Sequence, residues 1–224
     1  MHKLNRPSEE PEVLASAREN NLDWDHFETS HKDVVRDALL IMQNFYCAYC
    51  ERKIHKFEDI PLPDGSTREM YNGHIEHFRR KNQNFYPELM FDWNNLFFSC
   101  MTNSTCGKYK DHFIKSREQN DLLIDPCVDN PEDFFIFTSL GTIEIRSELN
   151  APERNRDKQR ALFTIKAFNL NDPNLVKLRK ETIDGYSWLK NLPKKDLDEN
   201  LQNMHQNIPF ITAIFHYFGK RVVA

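Results

Sequence analysis

Four cysteines are spaced as two pairs able to close on one metal ion. Cys47 and Cys50 form a CxxC, and Cys100 and Cys106 follow with five residues between them. Two such pairs suit a tetrahedral four-thiolate zinc site, a structural one because no coordination position stays open. The first pair has the usual spacing. The second is wider than usual, which makes Cys106 the weakest member and leaves His112 or His55 as a substitute ligand. Cys127 has no partner at ligand spacing and reads as a core cysteine. Between the pairs lies GHIEHFRRK, Gly73 to Lys81, in which Glu76 and His77 are adjacent. Phosphodiester hydrolysis needs a base to activate water and a dication to polarise the phosphate. Mg2+ takes one or two protein carboxylates and keeps several waters. Glu76 and His77 supply one carboxylate and one base. Neighbours on a strand face opposite sides, so the two share a site only if the strand twists or ends there. Taken alone, a Glu-His dipeptide reads as a solvated surface pair.

The elements that must position these residues follow from the patterning. The first twenty-odd residues are polar and read as an extended arm. SHKDVVRDALLIMQNF reads as a helix, with Ser30 as its cap, Asp33 in its first turn, and Val34, Val35, Ala38, Leu39 and Met42 at helical spacing. It runs straight into the first cysteine pair. Two prolines and two glycines make Phe57 to Gly73 a loop. GHIEHF alternates as a short strand, with His74, Glu76 and Phe78 on one side, and NLFFSC is a second strand ending on Cys100. CGKYKDHFIKSREQ reads as a helix starting near Cys106. Further on, FFIFTSLGTIEIR predicts a hairpin turning near Gly141, RDKQRALFTIKAFNLN and NLVKLRKETIDGYSWLKNL predict helices, and a last helical region spans about Lys195 to Tyr217. The expected class is α+β, mainly helical. The expected division is residues 1–126, holding the arm, a helix and the strand–loop–strand–helix unit, and residues 127–224, a hairpin plus a helical lobe.

With 224 residues, 29% of them charged and 12% aromatic, the chain has the composition of a soluble globular protein rather than a disordered one. Its start has no apolar run of signal-peptide length. Its most apolar segment, Ile208 to Phe218, is far short of the ~20 residues that span a bilayer. A cytoplasmic protein with reduced cysteines is therefore expected. The net charge of −4 argues against non-specific coating of nucleic acid but leaves room for a local basic groove.

CAYCE, HIEHFRRK, DWNNLFFSC and CGKYKD together resemble the HNH endonucleases, whose core is a ββα-metal finger. The closer similarity is to the PtuB type, the nuclease subunit of Septu and of some retron anti-phage systems. MHKLNRP, LLIDPCVDNPEDFFIF and RALFTIKAFNLNDPNLVKLR extend that resemblance over most of the chain. It implies a zinc-stabilised ββα-metal finger embedded in a helical protein. It makes His77 the general base, Glu76 the acidic ligand of a catalytic Mg2+ or Mn2+, and Asn95 the residue that orders the finger loop. Cys47, Cys50, Cys100 and Cys106 match the zinc cysteines. Many HNH proteins carry a second ligand just after the last cysteine, where this chain has Gly107. Asp111, one helical turn on, is our expected replacement, with His112 as its rival.

Arg79, Arg80 and Lys81 follow the base and are placed to hold phosphates. Lys108 and Lys110 lie near the start of the finger helix, whose N-terminus favours anions. His74 shares the strand side of Glu76 and is a candidate for phosphate or metal. A run of charge is otherwise a solvated face. The resemblance further implies cleavage of nucleic acid, with DNA favoured over RNA or tRNA, and a PtuA-type ATPase as partner. A retron reverse transcriptase with its DNA is an additional candidate partner, and no membrane is expected. The competing expectation is a zinc-binding module without catalysis that recruits nucleic acid or protein.

Overall fold

The computed structural model describes residues 1–62, 65, 67–204 and 208–222. Among these residues it contains eight α-helices, three two-stranded antiparallel sheets and short 3-10 turns, an α+β and mainly helical protein as expected. No helix among them is long and apolar enough to cross a membrane.

The first correction concerns the N-terminal arm. It contains helix α1 (Glu12–Glu19), which buries Leu14 and Ala17. Met1 and Leu4 are also buried. Arg6 clasps this segment to the centre by donating to the carbonyls of Trp93 (2.7 Å) and Leu96 (2.9 Å). A helix of two turns with one apolar i, i+3 pair leaves almost no periodic signal, and only long-range contacts hold it.

Helix α2 (Thr29–Met42) stands where expected, burying Val35, Leu39 and Leu40. Ser30 is not its cap. The helix starts one residue earlier, after Glu28, with no side-chain cap, and Val34 faces solvent. The segment read as a loop is a hairpin, β1 (Lys56–Pro61) paired with β2 (Thr67–Tyr71). Residues 63, 64 and 66 of that segment lie outside the described residues. Strand β1 is exposed throughout, so it has no buried face to impose alternation on the sequence, and backbone pairing alone defines it.

Strands β3 (Gly73–His77) and β4 (Leu96–Cys100) pair with Gly73 opposite Cys100 and His77 opposite Leu96. Helix α3 (Cys106–Phe113) follows β4. It is shorter than the predicted helix. The chain turns extended at Ile114 and resumes as α4 (Arg117–Asn120), capped by Ser116. The second hairpin is β5 (Phe135–Phe137) with β6 (Ile143–Ile145), and Gly141 takes the left-handed turn position at φ +83°. Helices α5 (Asn155–Ala167), α6 (Pro173–Tyr186) and α7 (Lys194–Met204) follow. The predicted last helical region is divided. Residues 205–207 lie outside the described residues, and Phe210, in the left-handed region at φ +58°, precedes α8 (Ile211–Tyr217).

The main core draws on Leu39, Phe97 and Ile114 together with Phe168, Leu175 and Ala213. A second cluster holds Leu189, Leu201, Ile211, Ile214 and Phe215. Glu51, the residue after Cys50, ties the two ends together. Its carboxylate accepts from Thr212 N at 3.1 Å and lies 2.6 Å from the Met1 amine.

Candidate active site

The four paired cysteines meet. Cys47 and Cys50 sit in a tight knuckle after α2, closed by Cys47 N donating to the Arg52 carbonyl and Glu51 N donating to the Cys47 carbonyl. Cys100 ends β4 and Cys106 begins α3 with a left-handed φ of +58°. All four are buried and unoxidised, and their sulfurs lie within 4.8 Å of one another. Cys50 Sγ and Cys100 Sγ are 3.9 Å apart. Four thiolates around zinc at about 2.3 Å stand about 3.8 Å from each other, so the donor set fits a tetrahedral dication. Hydrogen bonds from Cys106, Cys47 and Cys50 pull the Cys100 thiol far below its ordinary value, while burial pushes Cys106 up. Cys106 is therefore part of the cluster, and His55 and His112 are exposed outside it. Cys127 is half-buried against the main core.

The pairing of β3 with β4 carries the chain from this cluster to a second site. Gly73 lies opposite Cys100, and the far end of β3 delivers Glu76 and His77. The strand ends at His77, which meets the condition for adjacent residues to serve one site. Both line a cleft of about 350 Å³ with Trp24, His74, Arg80, Lys81, Lys108 and Asp111.

His77 is buried, and its Nε2 lies 2.9 Å from the Met90 carbonyl oxygen. A carbonyl only accepts, so Nε2 carries the hydrogen and Nδ1 the lone pair. The Trp24 indole meets the imidazole edge-on, with ring centroids 4.5 Å apart. Burial, with Lys81 second, lowers the His77 pKa to about 3, so the ring is neutral at pH 7. Asn95 organises the residues after His77. Its Oδ1 accepts from Arg79 N (2.7 Å), and its Nδ2 donates to the carbonyls of Arg79 (2.9 Å) and Leu89 (3.0 Å).

Glu76 is 3% exposed, and beside it Lys110 is fully buried. The Lys110 ammonium donates to Glu76 Oε1 and to the carbonyls of His77 (2.6 Å) and Phe78 (3.0 Å). Burial, the largest influence, works to raise the Glu76 carboxyl, but Lys110 and then His74 override it and hold it at about 2. Gly107 explains how Glu76 fits. A Cβ there would sit 2.3 Å from Glu76 Oε2, so the carboxylate packs where a side chain at position 107 would begin.

Asp111 enters the same cleft, whereas His112 is exposed and does not line it. Asp111 Oδ1 is buried without a hydrogen bond, 3.3 Å from Lys110 Nζ and 3.8 Å from Arg80 Nε. Burial and the nearby Glu76 carboxylate raise its pKa. Lys110 and Arg80 balance the two carboxylates in charge, but Asp111 Oδ1 stays an unmet acceptor. Two carboxylates lining one cleft are oxygen donors of the kind a small hard cation takes.

The basic residues divide. Arg80, Lys81 and Lys108 line the cleft. Arg79 turns away, with its Nε 3.7 Å from Asp121 and its guanidinium over the Tyr86 ring. Lys110 is legible in sequence only as a basic residue near a helix start. Its position three residues after Gly107 puts it on the same helix face, a signal that could have revealed it. Nothing in the sequence around Trp24 marks it as a wall of the site.

Fold and site thus define an antiparallel strand pair and helix, with a carboxylate–histidine pair at one end and a four-cysteine cluster at the other. No protein-family model matches the chain. Curated homologues do. A Vibrio cholerae serotype O1 biovar El Tor protein, named as the candidate HNH endonuclease of retron Vc95, is 28% identical over 173 residues, 75% of this chain and 72% of that protein. Septu protein PtuB of Bacillus mycoides strain KBAB4 is 28% identical over 208 residues, 85% of this chain and 69% of its own length. A Septu protein PtuB of Bacillus thuringiensis is 33% identical over 100 residues, 45% of this chain and 31% of that protein. The homology predicted from the motifs is therefore present.

Proposed function

We propose that this protein is a metal-dependent HNH endonuclease that hydrolyses phosphodiester bonds, with DNA as the favoured substrate and RNA, tRNA included, as the rival. The observation that carries the reading is the neutral His77, with Nε2 engaged by a carbonyl and its lone pair on Nδ1, lining one cleft with Glu76 and Asp111. In this reading the four cysteines hold a structural zinc ion and make the β3–β4–α3 unit a ββα-metal finger. His77 Nδ1 takes the proton of the attacking water. Asn95 holds the backbone after the base. Arg80, Lys81 and Lys108 grip the substrate phosphates, with Arg79 contributing from outside the cleft. Glu76 and Asp111 would hold a divalent ion such as Mg2+ or Mn2+, which would supply positive charge at the phosphate and the leaving oxygen.

The names of the homologues support a place in anti-phage defence. We assign the chain to the nuclease role beside a PtuA-type ATPase, with a retron reverse transcriptase and its DNA as a further partner. Residues 1–126 would form the nuclease part and residues 127–224, with exposed Leu140 and Trp188, the docking part.

The alternative, a zinc module without catalysis, draws on Lys110, whose ammonium already neutralises Glu76. Plasmid and RNA cleavage assays with and without Mg2+ separate the two. His77→Ala should reduce cleavage about 10²–10⁴-fold with zinc content unchanged. Normal cleavage by this variant removes the assignment.

A further inference from the structure

The candidate cleft has a neighbour. A second cavity of about 250 Å³ shares Trp24, His74 and Ile75 with it, so the indole of Trp24 stands between the two. Gly73 and Phe98 line this cavity as well. A Cβ on Gly73 would lie 2.3 Å from the Phe98 ring, so glycine lets that ring lie flush against the strand. Tyr71 supplies a further aromatic surface and is held on two sides. Its hydroxyl donates to Glu69 Oε2 at 2.6 Å, and the Arg36 guanidinium lies 5.2 Å from its ring centre. Arg36 is itself pinned to Asp33 (2.6 Å), Asp37 (2.8 Å) and the Glu69 carbonyl (2.9 Å). The aromatic surfaces are thus set before any ligand arrives.

Positive charge accompanies them in both cavities. Lys81 of the catalytic cleft lies 5.8 Å from the Trp24 ring centre, and Lys32 of the second cavity lies 5.6 Å from it. His74 belongs to both cavities. Its Nε2 lies 3.4 Å from Glu76 Oε2, and its Nδ1 is buried without a partner. Phe98 is only 2% exposed and forms the floor. A planar heteroaromatic group entering here would stack on Trp24 and Tyr71 in exchange with the cations now over them, and phosphates on either side of it would meet a lysine each. Aromatic platforms of this kind bind bases with little regard to identity. A base enters such a cavity only outside a stacked duplex.

We propose that the second cavity receives the unpaired nucleobase adjoining the scissile phosphate, so that the substrate strand is single, bulged or opened at the cut. The proposal rests on the nuclease reading above and specifies its substrate. The test uses the zinc-loaded full chain, without added divalent ions, and 12-nucleotide DNA and RNA strands carrying 2-aminopurine at each position in turn. One position should be quenched on binding, and an abasic residue there should weaken binding about tenfold. Tyr71→Ala should show the same loss, and the abasic residue should then cost it nothing more. Lys32→Ala, a surface change that spares the fold, should weaken binding and lower the salt slope by about one. A strand with one bulged nucleotide should bind better than its fully paired duplex.

The proposal is overturned if no position is quenched, or if the abasic loss is as large in Tyr71→Ala as in the unaltered protein. Failure of the nuclease reading looks different. His77→Ala would then leave cleavage unchanged, whatever the oligonucleotide binding shows.

Discussion

Lys110→Met removes the ammonium that, among the described residues, meets Glu76 in the protein interior. Lys110 is fully buried, Glu76 is 3% exposed, and the ammonium also serves the carbonyls of His77 and Phe78. A carboxyl of ordinary pKa 4.5 held at about 2 corresponds to about 3 kcal/mol of stabilisation. Removing one partner of a buried pair costs about 3–5 kcal/mol, because the other charge is left in a medium that cannot solvate it. That is a large part of the ~5–15 kcal/mol typical of a whole domain. Urea unfolding followed by circular dichroism measures it for Lys110→Met, Glu76→Gln and the double variant. The double variant should lose at least about 1 kcal/mol less than the two single losses combined. The acid limb gives a second reading. The folded pKa of Glu76 is depressed, so its stabilisation is complete above about pH 4.5 and is lost as pH falls toward 2. Lys110→Met should shrink or abolish that loss, because burial then raises the Glu76 carboxyl toward or above its ordinary value. Additive single losses, or an unmoved acid limb, would falsify the view that Lys110 and Glu76 act as a pair.

On the proposed nuclease reading, Asp111→Ala should weaken Mg2+-dependent cleavage by about an order of magnitude or more while His112→Ala changes it little, because of the two only Asp111 lines the cleft; the reverse ranking in a metal titration would make His112 the ligand. On the proposed zinc reading, Cys100→Ser should lose the bound ion, measured by plasma mass spectrometry, together with cooperative unfolding, since a structural zinc ion contributes folding free energy directly. Gly107→Ala should cost about 1–3 kcal/mol in chemical unfolding, because its Cβ would meet Glu76 Oε2 at 2.3 Å; an unchanged midpoint would mean the carboxylate moves aside freely.

Much of the site is legible in the amino-acid sequence. The cysteine pairs, the alternation of HIEHF and the apolar NLFFSC are local patterns, and local patterns survive in sequence because strand period and ligand spacing are properties of short segments. Helix α2 and the Gly141 hairpin are readable for the same reason. The exposed strand β1 and the short helix α1 are not, since neither buries a repeating face. The division of the last helical region at Phe210 depends on contacts with Glu51, 159 positions earlier in the chain. No window of sequence contains both residues.

By itself, then, the sequence determined which groups could do chemistry: four thiols, a carboxylate beside a histidine, and a run of basic side chains behind them. Tertiary structure decided which way each side chain points. It turned Lys110 inward to Glu76, set Asp111 in the cleft and His112 in solvent, and drew Arg79 away to Asp121. It also brought Trp24 from the N-terminal part against His77. The physical reason is that a residue type reports its charge and hydrogen-bonding capacity, while burial and partners are set by elements far apart in the chain. Those partners arrive only when the core closes.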